Sequence, residues 1–304
     1  MRREGRALIG YDFGNARIGA LRSRLLDATT LRAARTASSV DAVLELLAGL
    51  DDWRVPIAEA SATGAFRRPV QVLQAAIERH RSRRLGGLVR SYGPPIRELV
   101  EALVLHLDEE RALEVLRRRR AGQLEVTILG QVSPGALLDA RAMRLVAAAP
   151  GEGGPFLVLC RLGILGGRAA RALARAAEAG TAPEALEARL DEAWWRARWR
   201  RAEGSGEDAA AVRDLMRGEV AERRRVREAL QAGATADAAW RERQLLGERL
   251  ARLERRGHHD PLGIATVAGY VAAVEAQALR LRSILAGLPG QTGRQPGRDG
   301  RRAA

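Results

Sequence analysis

The sequence predicts an all-α protein, and three observations carry that expectation. Apolar side chains recur at alternating steps of three and four along most of the chain, the spacing that gathers them on one helical face. Alternating runs of β-branched residues, the signature of strands, are scarce. Aromatic residues make up only 4% of the chain, so its interior is built mostly from Leu, Val and Ala, which suits closely packed helices better than a sheet.

In chain order, Ala16 to Leu50 reads as two short helices, with Ser39 as an N-cap and Gly49 as a stop. "DDWRVPIAEA" reads as looped or extended. An arginine-laden segment follows from Val70 to Leu88, and a long helix starts after Pro94 and Pro95 and stops at Gly122. "LEVTILGQVSPGALL" holds the one plausible strand, Leu124 to Leu129, with a short extended connection the favoured reading. Loops at Ala147 to Phe156 and Ala202 to Asp208 bracket a middle lobe.

The last helix is the most explicit. In "DPLGIATVAGYVAAVEAQALRLRSILAG", Asp260 is placed to cap free amides and Pro261 to occupy the first helical position. Ile264, Val267, Val271, Val274, Ala278, Leu281, Leu285 and Leu288 form one seam, with Glu275 beside it and Gly287 as a left-handed stop. This predicts a helix gripped along one side. The Gly-, Pro- and Arg-rich tail, residues 289–304, lacks apolar periodicity and is expected to be disordered. A faint echo of "RRRRAG", "EALQAG" and "RSILAG" hints at three related lobes, set at residues 1–125, 126–233 and 234–288.

Composition narrows function. With 304 residues, 46% of them hydrophobic, the chain can bury a substantial core. Its formal charge of +14 comes from arginine alone, because the sequence contains no lysine. That removes P-loop lysine and Schiff-base chemistry while favouring anionic neighbours such as lipid head groups or acidic protein surfaces. A single cysteine, Cys160, points to a reducing compartment. The N-terminal stretch lacks the apolar run of a secretory signal, and no window nears 18 uninterrupted apolar residues, so a soluble protein is expected.

Familiar active-site patterns are missing: there is no GxGxxG, GxxxxGK[ST] or GxSxG. His80, His106, His258 and His259 lack metal-ligand spacing, and His106 is expected to be a satisfied, partly buried histidine. The adjacent pairs Asp51/Asp52 and Glu109/Glu110 read as solvated surface charge, as do the basic runs Glu78–Arg84 and Arg117–Arg120. Trp194, Trp195 and Trp199, interleaved with arginines, admit base stacking or interfacial anchoring, but their spacing with Leu186 and Leu190 favours packing. No cofactor, metal or catalytic residue is expected.

Three stretches nevertheless resemble one family, the C-type central-stalk component of V-type and archaeal (A-type) ATPases, whose eukaryotic counterpart is the d-type component. The last helix resembles its C-terminal signature at Asp260, Pro261, Tyr270, Glu275, Leu281 and Arg282. "YDFGNARIGALRSRLLDATTL" is similar to its N-terminal element at Tyr11, Asn15, Ala16 and Arg17, followed by Leu25 and Leu26. "LHLDEERALEVLRRRRAG" is similar to its Asp-x-x-Asn-Leu helix at Asp108, Leu116 and Arg117. Departures stand at Val274, Gln277 and Arg280, where lysine, glutamate and asparagine are usual, and at Arg111, where asparagine is. Residues from about 130 to 257 match only in helical texture.

The resemblance implies a funnel of three similar helical lobes with pseudo-threefold symmetry. It implies a non-catalytic rotor adaptor at the cytoplasmic face of the membrane, a monomer within a hetero-oligomeric complex. Its partners are then the central shaft (D- and F-type subunits) and the proteolipid ring, with no direct nucleotide binding and no nucleic acid. The interaction residues it implies are Tyr11, Asn15, Arg17, Asp108, Arg117, Asp260, Pro261, Tyr270, Glu275 and Arg282. Glu275, Gln277, Arg280 and Arg282 are expected to face the shaft or a neighbouring lobe. The alternative from another class is an arginine-rich helical nucleic-acid binder.

Overall fold

Helix-forming residues dominate, and the fold answers that composition. The computed structural model describes residues 4–218, 247, 251–253 and 263–288, and among them there is no strand. The expectations for Asp260, Pro261, His258, His259 and the tail lie outside the described residues.

Helices α1 (Glu4–Arg22), α2 (Ala28–Thr36), α3 (Val40–Ala48) and α4 (Asp51–Ala62) lead into α5 (Pro69–Val89) and α6 (Ile96–Arg120). Five helices follow: α7 (Glu125–Gln131), α8 (Ala140–Ala147), α9 (Gly154–Arg161), α10 (Gly167–Glu178) and α11 (Pro183–Arg201). Residues 207–218 are helical, and α12 (Ile264–Gly287) is the last described helix.

Local chemistry explains several ends. The Ser39 hydroxyl accepts from the Ala42 amide, and Asp27 and Asp139 cap α2 and α8 in the same way. Gly122 adopts a φ of 71°, which a side chain at that position would strain, and α6 ends there.

Other ends differ from expectation. The stretch Ala16 to Leu50 contains the end of α1 and two complete helices. "DDWRVPIAEA" is helical despite the interior Pro56, because Trp53, Pro56 and Ala60 form a buried stripe against α5 that outweighs one lost backbone bond. The candidate strand is instead α7, in which Ile128 plugs the core. Helix α12 begins at Ile264 with an extended Gly263 before it, and Gly287 is its last helical residue, followed by extended Leu288. The left-handed stop is therefore not used.

Three apolar clusters share the long helices α5, α6 and α12. Trp53, Leu73 and Ile77 meet Val43, Leu47, Leu281 and Leu285 in one cluster. A second joins α1 to the end of α5, the first half of α6 and the first half of α12 through Ile18, Leu85, Val104, Val267, Tyr270 and Val274. The third gathers α6 to α11 around Leu105, Val115, Ile128, Phe156, Leu173 and Trp194. The indole N–H of Trp194 donates to the Leu105 carbonyl at 2.9 Å, so the first tryptophan of the Trp-Arg segment packs, as its spacing predicted.

Helix α12 is not gripped along one side. Every residue from Thr266 to Val274 is buried, and α1, α2, α5 and α6 all pack against it. A helix apolar all round is a central helix. It is also long and apolar enough to cross a membrane by length and composition, but 78% of that window is buried inside the fold.

Candidate functional site

A carboxylate inside a buried helix requires partners, since an unpaired buried charge is prohibitively unfavourable. Glu275 of α12 finds two. Its Oε1 accepts from Nε of Arg81 at 2.7 Å and lies 3.1 Å from Nε2 of His106. The other ring nitrogen of His106, Nδ1, lies 3.0 Å from the Leu103 carbonyl, so both contacts are hydrogen bonds only when both nitrogens carry hydrogen. Burial pushes the Glu275 carboxyl up, yet Arg81 and His106 outweigh it and hold the pKa at about 2.

Arg81, with a side chain only 3% exposed, ties three helices together. It also gives Nη1 and Nη2 to Glu110 of α6 at 2.7 and 3.2 Å and lies 3.4 Å from Glu78. Glu78 pairs with Arg111 of α6 and Arg282 of α12. Burial raises its pKa, and the charges of Arg111, Arg282 and Arg81 bring it down to about 2. The result is a continuous charged seam linking α5, α6 and α12.

The run Glu78–Arg84 is thus not a solvated face. Arg79, His80, Arg81, Ser82 and Arg84 are buried, because α5 is covered by α4, α6 and α12 together. Arg84 pairs with Asp52, and His80 stacks on Trp53 with 4.1 Å between ring centroids. Burial, then Arg84 and Arg83, hold the His80 pKa down to about 3, keeping it neutral. Asp52 and Glu110 are correspondingly partners of buried arginines rather than free surface charge. The Arg117–Arg120 run is half-buried beyond Arg117, with Arg119 donating to the Ala149 and Gly151 carbonyls at 2.7 and 2.9 Å.

Sequence-predicted residues fall into separate places. Tyr11 and Asn15 of α1 meet the start of α12. Tyr11 donates to Asp208 at 2.9 Å, and Asn15 receives the Tyr92 hydroxyl at 2.8 Å while donating to the Gly263 carbonyl at 3.4 Å. Tyr270 is buried facing Arg84 and Asp52, and burial raises its pKa. Arg17 is exposed. Glu275 and Arg282 share the charged seam.

Asp108 is fully buried and accepts from the Leu137 and Leu138 amides at 2.9 and 2.7 Å, anchoring the α7–α8 connection. Burial raises its pKa to about 6 against the pull of those amides. Arg117 is exposed and forks onto Glu187 of α11 at 2.8 and 2.6 Å. Glu275 and Gln277 point into the fold, where Gln277 accepts the Leu26 amide at 2.7 Å. Of that quartet, Arg280 and Arg282 are exposed, and Glu275 is partly covered.

Sequence reasoning did not find Glu78, Arg81, His106 or Arg111 as members of one cluster. Glu275, alone in an oily helix, was the available signal, since it required a buried cation somewhere. Among the described residues no group of three or more His, Cys, Asp or Glu is placed to hold a metal. Beside the seam, α5, α6, α7 and the end of α12 enclose a cleft of ≈ 590 Å³, with Arg111, Arg118 and Arg282 in its wall. The arrangement fixes helices and offers charge. No protein-family model matches the chain, and no curated protein matches it.

Proposed function

We propose that the chain is the central-stalk adaptor of a rotary ATPase or ATP synthase of the V or A type. In this reading it is non-catalytic and has three similar helical lobes arranged as a funnel. It sits peripherally on the cytoplasmic face of the membrane, between the shaft subunits and the proteolipid ring. Torque passes through it between ATP turnover and proton or sodium movement.

One observation carries the reading. The three stretches that resemble the family lie far apart in sequence, yet partly buried polar contacts tie the first two to α12 and its cap, which belong to the third. The α1 element reaches its start through Asn15 and the Gly263 carbonyl, and the α6 element reaches its middle through His106 and Glu275. Close packing reinforced by partly buried hydrogen bonds gives stiffness, which a torque adaptor needs more than any reactive group. The functional test is coupling. In membrane vesicles lacking this chain, ATP-driven ion uptake is expected to be lost and then restored by adding it back, and uptake that persists without it refutes the reading.

A second reading, an arginine-rich nucleic-acid binder, draws on one feature. Arg141, Arg144, Arg161, Arg168, Arg171 and Arg175 on α8, α9 and α10 are all exposed. Binding to DNA or RNA that weakens steeply and linearly with salt on logarithmic axes supports it, and negligible binding near physiological salt removes it.

A further inference from the structure

Three neighbouring helices turn a bare cationic face outward. Helix α9 packs against both α8 and α10, and all three give their inner residues to the third apolar cluster, among them Met143, Val146, Phe156, Leu159 and Leu173. Their opposite faces therefore line the outside of one core. On those faces stand Arg141 and Arg144 of α8, Arg161 of α9, and Arg168, Arg171 and Arg175 of α10, spaced by three and four within α8 and α10. All six are exposed, and among the described residues none forms an ion pair, in contrast to Arg117, which forks onto Glu187.

The carboxylates of this stretch sit at helix ends or between helices. Asp139 caps α8, Glu152 lies 3.7 Å from Arg120, and Glu125 opens α7. Glu178, the last residue of α10, alone continues an arginine row.

Aliphatic side chains are interleaved with these charges. Among the described residues, four of the six exposed large hydrophobic side chains fall here, so the face is apolar as well as basic. Leu145 follows Arg144 on the outside of α8, and Leu157 lies one turn before Arg161 on α9. Leu124 and Val126, 72% and 74% exposed, stand at the start of α7, which packs on α8.

That mixture decides between anionic partners. Stacking on bases and anchoring in a protein interface both draw on exposed aromatic rings. The single aromatic residue between positions 124 and 178, Phe156, is buried in the core. A bilayer surface uses both features present, since acidic head groups pair with guanidiniums while aliphatic side chains enter the acyl boundary.

We infer that the outer face of α8, α9 and α10, with the start of α7 at its edge, docks on the surface of a bilayer containing acidic phospholipids. The inference is independent of the adaptor reading, because protein-free vesicles hold neither shaft nor proteolipid ring and a failure to bind them leaves that reading standing.

Co-sedimentation of the full chain with vesicles tests it. Phosphatidylcholine vesicles containing about 30% phosphatidylserine are expected to bind the chain at least about tenfold more strongly than phosphatidylcholine alone at about 0.15 M salt. The triple variant Arg168→Gln, Arg171→Gln, Arg175→Gln should weaken that binding at least about tenfold. Leu145→Ser with Leu157→Ser should weaken it about fivefold or more at unchanged charge. The exposed pair on α2, Arg32→Gln with Arg35→Gln, removes charge elsewhere and should change binding by less than about twofold. All substituted positions are exposed, and unchanged thermal melting verifies that each variant is folded. Equal binding to both vesicles, an unaltered affinity in the triple variant or in the leucine variant, or an equal loss in the α2 variant overturns the inference. Displacement of the vesicles by a duplex oligonucleotide at matched phosphate concentration also overturns it and assigns the face to nucleic acid.

Discussion

Replacing Glu275 by glutamine perturbs the charged seam with almost no change in shape. The carboxyl titrates at about 2 in the fold against an ordinary value of 4.5, a separation equivalent to about 3 kcal/mol of stability. Because 15% of the side chain reaches solvent, that figure is an upper value. The folded pKa is depressed, so the contribution is fully present above about pH 4.5 and is lost as pH falls toward 2. Urea unfolding of both proteins at pH 7 should therefore show Glu275→Gln less stable by about 2–3 kcal/mol, with the gap shrinking by roughly a third at pH 3.5. Removing one partner leaves Arg81 buried with less compensation, whereas exchanging both for apolar residues is far less costly. A double variant, Glu275→Gln with Arg81→Met, should thus fall short of the sum of the single losses. A loss below about 0.5 kcal/mol at pH 7, or a gap unchanged between pH 7 and 3.5, would refute the reasoning.

Three further outcomes follow from the geometry. The Asp108 pKa is raised to about 6, so its contribution is fully present below its ordinary 3.8 and declines as pH rises through 6. Asp108→Asn should accordingly gain up to about 3 kcal/mol relative to the parent between pH 4 and 7 in urea titrations, and a flat difference contradicts this. A Cβ on Gly135 would lie 1.9 Å from Oδ1 of Asp108, so Gly135→Ala should displace the α7–α8 connection at a cost of about 2–3 kcal/mol. Arg117→Ala breaks an exposed ion pair and should change stability by no more than about 1 kcal/mol, a larger loss in thermal unfolding showing that the pair does more than its exposure allows.

Much of the helical architecture could be read from the chain because its signals are local. Ser39 announces its cap and Gly122 its stop within a few residues of the ends they make. The central place of α12 was harder to see: the seam of Ile264, Val267 and Val271 is real, but alanines and glycine fill the other faces and let neighbours approach from every side. Pro56 and the β-branched run at Val126 and Thr127 argued locally against helix, and burial of Trp53 and Ile128 overrode them.

The charged seam was the least legible part. Arg81 meets its acceptors 29 and 194 residues away, a distance over which sequence spacing carries no information, so a basic run that looked solvated became part of the interior. Tyr11 and Asn15 were found by resemblance, but that they fasten α1 to Asp208 and Gly263 depended on tertiary packing.

The adaptor reading is tested most directly by affinity purification of the tagged full chain from detergent-solubilised membranes of its own host, followed by mass spectrometry. Shaft, catalytic and proteolipid subunits of one rotary ATPase should be recovered together with it. Recovery of the chain without any of them, from membranes shown to contain that enzyme, would contradict the account.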